Sequence, residues 1–413
     1  MGGLTVNAGD TAFVLICAAL VALMTPALAF FYGGLVRRKN FLAIMMQSFI
    51  SMGVVTTIWV FFGYSIAFSG DIWGLFGNFH WAALTGIGQL PGPWAPTIPA
   101  EAHFVYQEMF AILTPALITG AFADRVKFKS YLWFLVLWSV IVYIPFVHWV
   151  WGGGWLYRQG VLDFAGGAVV HMSAGFAALA SVYVVGRRKF GKGERGVAHN
   201  MAFVALGTGL LWFGWFGFNA GSALAANGIA AQAFINTDIA GSIAMCTWLA
   251  ITWWKDGKPS LVGALTGAVA GLACITPCAG YVPTWASFIV GLLAGSICFF
   301  AVIFKEKMKW DDALDVWAAH GVGGTLGIIL VGVFALRSVN PAIAVGREGL
   351  ITGQWHLFTW QIITAVVIAA YAFVATWAIL KVINLFGSVR VPDSVELTGL
   401  DESEFGETAY NLT

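Results

Sequence analysis

Long uncharged apolar stretches recur along almost the whole 413-residue chain. Each comes close to the roughly 20 residues that an α-helix needs to cross a hydrocarbon layer about 30 Å thick. A backbone in lipid must satisfy its N–H and C=O groups internally, and stretches of this length do so as helices. Composition agrees, because 59% hydrophobic and 10% charged residues do not describe a water-soluble domain. An all-α polytopic membrane protein is therefore expected, with eleven spans at roughly 10–36, 41–68, 103–123, 131–150, 164–186, 199–223, 236–254, 260–279, 284–304, 314–336 and 357–386.

The basic residues test this count independently. Arg37, Arg38 and Lys39 lie between the first two spans, Arg125, Lys127 and Lys129 between the next pair, and Arg187, Arg188, Lys189, Lys192 and Arg195 between the pair after that. Lys255 with Lys258, then Lys305 with Lys307 and Lys309, continue the alternation. With Lys381 and Arg390 this places 18 of 21 basic residues on one face, leaving Arg158, Arg337 and Arg347 on the other. The positive-inside rule makes the first face cytoplasmic, so the N-terminus is expected outside and residues 387–413 inside, in a plasma membrane. The opening residues lack the basic region of a signal peptide, so the first apolar stretch is expected to stay in the mature chain. A net charge of +1 gives no reason to expect a nucleic-acid partner.

Some features have plain structural readings. Gly263, Gly267 and Gly271, repeated in spacing by Gly291 and Gly295, form small-residue stripes that let helices approach closely. Cys274 and Cys278 share a helical face, yet two small core residues are expected there and no metal. Asp311, Asp312 and Asp315 open the tenth span, where stabilisation by the positive helix end is expected for at least two. Asn411-Leu412-Thr413 matches a glycosylation acceptor but falls on the cytoplasmic side, where it has no meaning.

Two residues resist that treatment. His171 and His320 each sit in an otherwise apolar span, and a titratable ring in hydrocarbon is costly enough to imply a cavity or a partner. They lie 149 positions apart, in the fifth and tenth spans, which the topology runs in opposite directions. An inverted five-helix repeat, about 10–186 and about 199–336 with the eleventh span added, gives that relation and brings both rings near the midplane. Two neutral imidazoles in contact can share one proton and line an apolar passage with polar atoms. Two other readings stand beside this one: each ring bonds a backbone carbonyl and stiffens the bundle, or the pair ligates a haem.

The outer ends of the same spans are rich in aromatic residues, in YQEMF at 106–110, HWVWGGGW at 148–155 and LWFGWFGFNAGS at 211–222. The face of Trp151 attracts a monovalent cation and the Ser222 hydroxyl can accept one of its N–H groups, so together they can form a modest cation site above a phenylalanine gate.

The segments LDFAGG, VVHMSAGFAAL, HWVWGGGW, LWFGWFGFNAGSALAAN, GKPSLVGALTGAVAGLACITP and LDVWAAHGVGG resemble those of the ammonium transporter (Amt/Mep/Rh) family, most of all its microbial Amt branch. The similarity runs from about Ala12 through the tail element GLDESEFGETAY. The resemblance implies the ammonium transporter fold, a homotrimer in lipid and one narrow pore per subunit. It implies an outer ammonium site at Trp151, Ser222 and Phe110 with Tyr106 nearby, a gate of Phe110 and Phe218, and a pore lined by His171, His320 and Trp215. Asp163 matches an acidic residue that shapes the vestibule, though its place at a helix start equally makes it an N-cap. No cofactor and no enzymatic activity are implied. Ammonium would bind outside and leave its proton, and ammonia would cross to the cytoplasm with or without it. The alternative is an ammonium sensor of the same fold that transports little. The acidic tail at 387–413 would not fold alone. The resemblance gives it regulatory contacts, including a PII-type signalling protein, although Phe405 stands where the family usually has His. Glu108, two residues from the gate, is expected to face the vestibule or a subunit interface.

Overall fold

The computed structural model describes residues 5–191, 196 and 198–410; Lys192, Arg195 and the acceptor at Asn411 lie outside them. Among the described residues, nine helices are long and apolar enough to cross a membrane. They are α1 (Ala8–Leu35), α2 (Arg38–Phe68), α4 (Phe128–Arg158), α5 (Gly167–Val185), α6 (Met201–Ala223), α7 (Gly228–Asp256), α9 (Thr284–Lys307), α10 (Trp317–Phe334) and α11 (His356–Phe386). Two further helices lie among them, α3 (Ala100–Ile118) and the shorter α8 (Leu261–Ile275), so the described helices are compatible with eleven spans. Glu101, His103, Gln107 and Glu108 make α3 less apolar than its neighbours.

Side-chain caps set several starts. Asn7 accepts from Asp10 N, Asn200 from Phe203 N, Asn227 from Ile229 N and Ala230 N, and Ser260 from Gly263 N. Each satisfies amide groups that the first helical turn leaves free. Between α2 and α3 the chain forms a cover that the apolar pattern gives no sign of, with a small antiparallel ribbon of Pro91–Gly92 and Ala95–Pro99.

Packing follows the glycines. Gly207, Gly214 and Gly217 of α6 lie against backbone and short side chains of α1 around Phe31, Met24 and Cys17. Gly271 of α8 and Gly291 of α9 both meet the carbonyl of Ala240, so α7 is clamped from two sides. A very close crossing joins α5 and α10. A Cβ on Gly175 would stand 2.1 Å from Gly321 N and 2.2 Å from Gly321 Cα. Three residues further along α10, Gly324 lies against Gly167 O and His171 Cβ, earlier in α5, so the two helices are antiparallel. Both open with a π-helical turn, Gly167–Met172 and Trp317–Val322, and each turn carries one of the histidines. Backbone meets backbone at this crossing, so nothing flexible can yield. Gly175→Val is expected to cost about 3 kcal/mol or more by overpacking. Thermal unfolding in detergent checks it, with Gly53→Ala as control, since a Cβ there meets nothing within 4 Å.

The basic loops share one face and knit it together. Arg37 Nε donates to Asp124 (3.1 Å) and Arg188 Nη2 to Asp311 (2.7 Å). Buried Arg125 donates to the carbonyls of Gly186, Ala123, Ala121 and Asp311. Burial alone would raise the Asp311 carboxyl, but hydrogen bonds and charge from Arg188 outweigh it and hold it down at about 2. The acids opening α10 therefore differ from expectation: only Asp312 serves the helix start, accepting from Trp317 N at 2.7 Å. Asp311 pairs with Arg188 and Asp315 with Lys305, cations that folding brings from other segments.

The tail lies against this face. Asp401 accepts from Leu42 N and Ala43 N at the start of α2, Glu396 accepts from Lys189 N and Arg390, and Tyr410 Oη lies 3.1 Å from His199 Nε2. Phe405 packs edge-on to Phe128, with centroids 5.1 Å apart.

Candidate functional site

At the face opposite the basic loops, a cavity of about 590 Å³ is lined by Trp151, Ser222 and Phe110, together with His103, Gln107 and Asp163. Phe110 forms its floor and lies against Phe218, centroids 4.2 Å apart and planes at 32°. Trp151 stands perpendicular to Phe110 at 6.2 Å. Its indole is fixed because Nε1 donates to Asp163 O at 2.8 Å.

Asp163 is the knot of this region. Its Oδ1 accepts from Gly166 N and Gly167 N (2.9 and 2.6 Å) and its Oδ2 from Ala168 N and Val169 N (2.8 and 3.1 Å). Four amides that open α5 thus converge on one buried carboxylate; burial raises its carboxyl, and the four hydrogen bonds work against that rise. The cap is complete, and the same residue positions the indole through its carbonyl.

Tyr106 departs from expectation, because it does not line the cavity. It is buried behind Phe110, centroids 5.0 Å apart, and its hydroxyl donates to Phe218 O at 2.7 Å. A further contact of 3.2 Å links it to Ser222 Oγ. The carbonyls of Gly217 and Phe218 in α6 both lie within hydrogen-bond reach of the phenol and hold it there. Glu108 is also outside the cavity and is buried.

Beneath the phenylalanines the rings continue as a column. Phe218 stacks on His171 (5.9 Å), and His171 on His320 (5.2 Å, 17° between planes). The two Nδ1 atoms are 3.2 Å apart. Trp215 stacks beside His171 at 5.3 Å, held by Nε1 donating to Thr276 Oγ1 at 3.0 Å. Both histidines border a small void of about 10 Å³, whose other walls are Leu113, Leu117, Trp215 and Met24, Leu28 and Phe31 of α1. A void of that size holds about one water-sized molecule. Among the described residues, His171 Nε2 has no hydrogen-bond partner.

One Nδ1 must donate to the other, so the rings are opposite tautomers. One Nε2 then carries a proton and the other a lone pair. Among the described residues no cluster of metal-binding side chains occurs.

His103 and Gln107 were not singled out in the sequence, although with Phe110 they recur at helical spacing, a polar stripe on one side of α3. The α1 wall gives no such sign, being ordinary apolar residues.

A bundle of membrane-crossing helices around an aromatic cavity at one face, a ring-stacked constriction and a narrow void is the class of protein that passes a small solute across a membrane. The chain belongs to the Ammonium Transporter Family, whose profile matches residues 12–410. It is 46% identical to an ammonium transporter of Bacillus subtilis over 97% of this chain and 98% of that one. It is 43% identical to the ammonium transporter Amt1 of Archaeoglobus fulgidus, over 97% and 99%. The crystal structure of Candida albicans Mep2 superposes with a TM-score of 0.87 at 34% identity, covering 98% of this chain and 91% of Mep2. A protein described as a sensor Amt protein superposes at 0.88 with 27% identity, over 96% and 98%. The protein is thus a multi-pass membrane transporter for ammonium, not an enzyme.

Proposed function

We propose that ammonium is recruited at Trp151 and Ser222, loses a proton there, and crosses as ammonia past Phe110 and Phe218 along His171 and His320. The observation that carries this reading is the column of rings between the outer cavity and the void. Beyond Phe110 the described residues that line this path include no carboxylate and no ring of carbonyls, so a bare cation is expensive there. Ammonium can shed its charge by leaving a proton, whereas potassium, of similar size, cannot. The opposite tautomers of the histidines offer ammonia a donor and an acceptor, and Asp163 keeps the cavity in shape without meeting the solute.

In the same proposal the two five-helix units, about 10–186 and 199–336, are inverted repeats, and the basic face is cytoplasmic. The chain forms a homotrimer, and the tail at 387–410 is the regulatory element that a PII-type protein reads. The likeness to a sensor Amt protein supports a second reading, binding with little flux. An ammonium pulse on proteoliposomes separates them: current or alkalinisation is expected of a transporter, while binding with neither indicates a sensor.

Trp151→Leu removes the indole face while keeping an apolar wall. Because cation–π attraction contributes about 0.5–2 kcal/mol, half-saturation for methylammonium uptake is expected to rise about two- to thirtyfold with a smaller change in maximal rate. Concentration dependence of uptake measures this, and an unchanged half-saturation removes Trp151 from the recruiting site.

A further inference from the structure

A second large cavity, about 700 Å³, opens on the basic face far from the ring column. Its walls are the start of α4 and the end of α11, and its lining is divided by chemistry. Lys127, Lys129, Ser130 and Ser388 form a polar end, and Trp133, Leu137, Val382, Ile383 and Phe386 an apolar one. From Lys127 to Leu137 the helix rises about 15 Å, roughly the reach from a head-group region into the acyl chains.

Three observations bear on what fits. Among the described residues, no carboxylate lies within ion-pair distance of Lys127 or Lys129; the nearby Glu404 carboxylate accepts from Phe128 N between them (3.0 Å) and offsets part of their charge, leaving this end net positive. The apolar end is strongly exposed, with Trp133 at 57% and Phe386 at 89%, as suits side chains that meet lipid. A tryptophan at the boundary between lysines and aliphatic residues matches the interfacial preference of indole.

We propose that this cleft is a binding site for an anionic glycerophospholipid of the leaflet on the basic face. Lys127 and Lys129 meet the phosphate, and the acyl chains lie along Trp133, Leu137 and Val382. Paired basic and apolar walls distinguish this ligand from free phosphate, which has no use for the apolar half, and from a zwitterionic lipid, whose own ammonium group offsets the lysines. The cleft also adjoins the root of the tail: Lys127 N donates to Val389 O (3.0 Å) and Ser130 Oγ to Ser388 O (3.3 Å). A bound head group would therefore stiffen the point from which the tail leaves the membrane.

The test uses the full-length protein in nanodiscs containing phospholipids with brominated acyl chains, and takes the fluorescence that Trp133→Phe removes as the signal of Trp133. Brominated phosphatidylglycerol is expected to quench that signal at a mole fraction about twenty-five-fold lower than brominated phosphatidylcholine. Each lysine near an anionic surface contributes about fivefold. Lys127→Gln with Lys129→Gln should bring the two lipids within about twofold of each other while ammonium uptake persists, which shows the variant to be folded. Inorganic phosphate should not compete. Equal quenching by the two lipids, a preference that survives loss of both lysines, or displacement by phosphate each overturns the proposal.

Discussion

Replacing both His171 and His320 by alanine is expected to lower the ratio of ammonium to potassium current in proteoliposomes at least about tenfold. The rings fill the passage, leaving a void of about 10 Å³ between apolar walls. Truncating both enlarges that void enough for water to enter beside them, and a wetted passage no longer makes a bare cation so expensive. Ammonia also loses a donor and an acceptor, each hydrogen bond contributing about 0.5–1.5 kcal/mol, so two together amount to tenfold or more. The leucine double variant separates the two effects. It refills the volume without polar atoms, so ammonium-driven flux should fall while potassium stays excluded. Solvent-filled alanine and dry leucine thus have opposite expected signatures for potassium. If alanine at both positions leaves selectivity over potassium unchanged, the pair does not discriminate between the ions, whatever its effect on rate.

The opposed directions of the histidine helices were legible because apolar length and basic loops report which way each span runs, and the antiparallel contact of Gly175 with Gly321 agrees. The meeting of the rings could only be expected. It depends on two π-helical turns, and no local residue preference announces those. An aromatic cluster around Trp151 was legible in composition, whereas the pairing of Phe110 with Phe218 was implied by the family resemblance alone. The part of Tyr106 was not, because its hydroxyl answers to carbonyls of α6 more than 100 positions away. Asp311 and Asp315 show the same limit in electrostatics. Read locally, they favour a helix start; in the fold, Arg188 and Lys305 are nearer and stronger partners. The cover between α2 and α3 was invisible because its residues follow neither a helical nor a strand period.

Asp163 carries the second large effect, and its geometry separates a positioning role from a chemical one. Its carboxylate oxygens already accept four backbone N–H groups, so neither oxygen has much capacity left for a proton from ammonium. Asp163→Ala strands four buried donors, and even at the low end of about 1 kcal/mol for each the loss is about 4 kcal/mol. Asp163→Asn is not conservative here, because its amide would turn N–H groups toward two of the same donors. Both variants should lose thermal stability in detergent and at least about tenfold in uptake together, because the turn that starts α5 also carries the carbonyl that holds Trp151. A proton acceptor would behave differently: the asparagine variant would stay nearly as stable as the parent while flux vanished. Unfolding temperature and uptake measured on the same preparations decide between the two. Stability retained with transport lost would move Asp163 from the frame of the cavity into its chemistry.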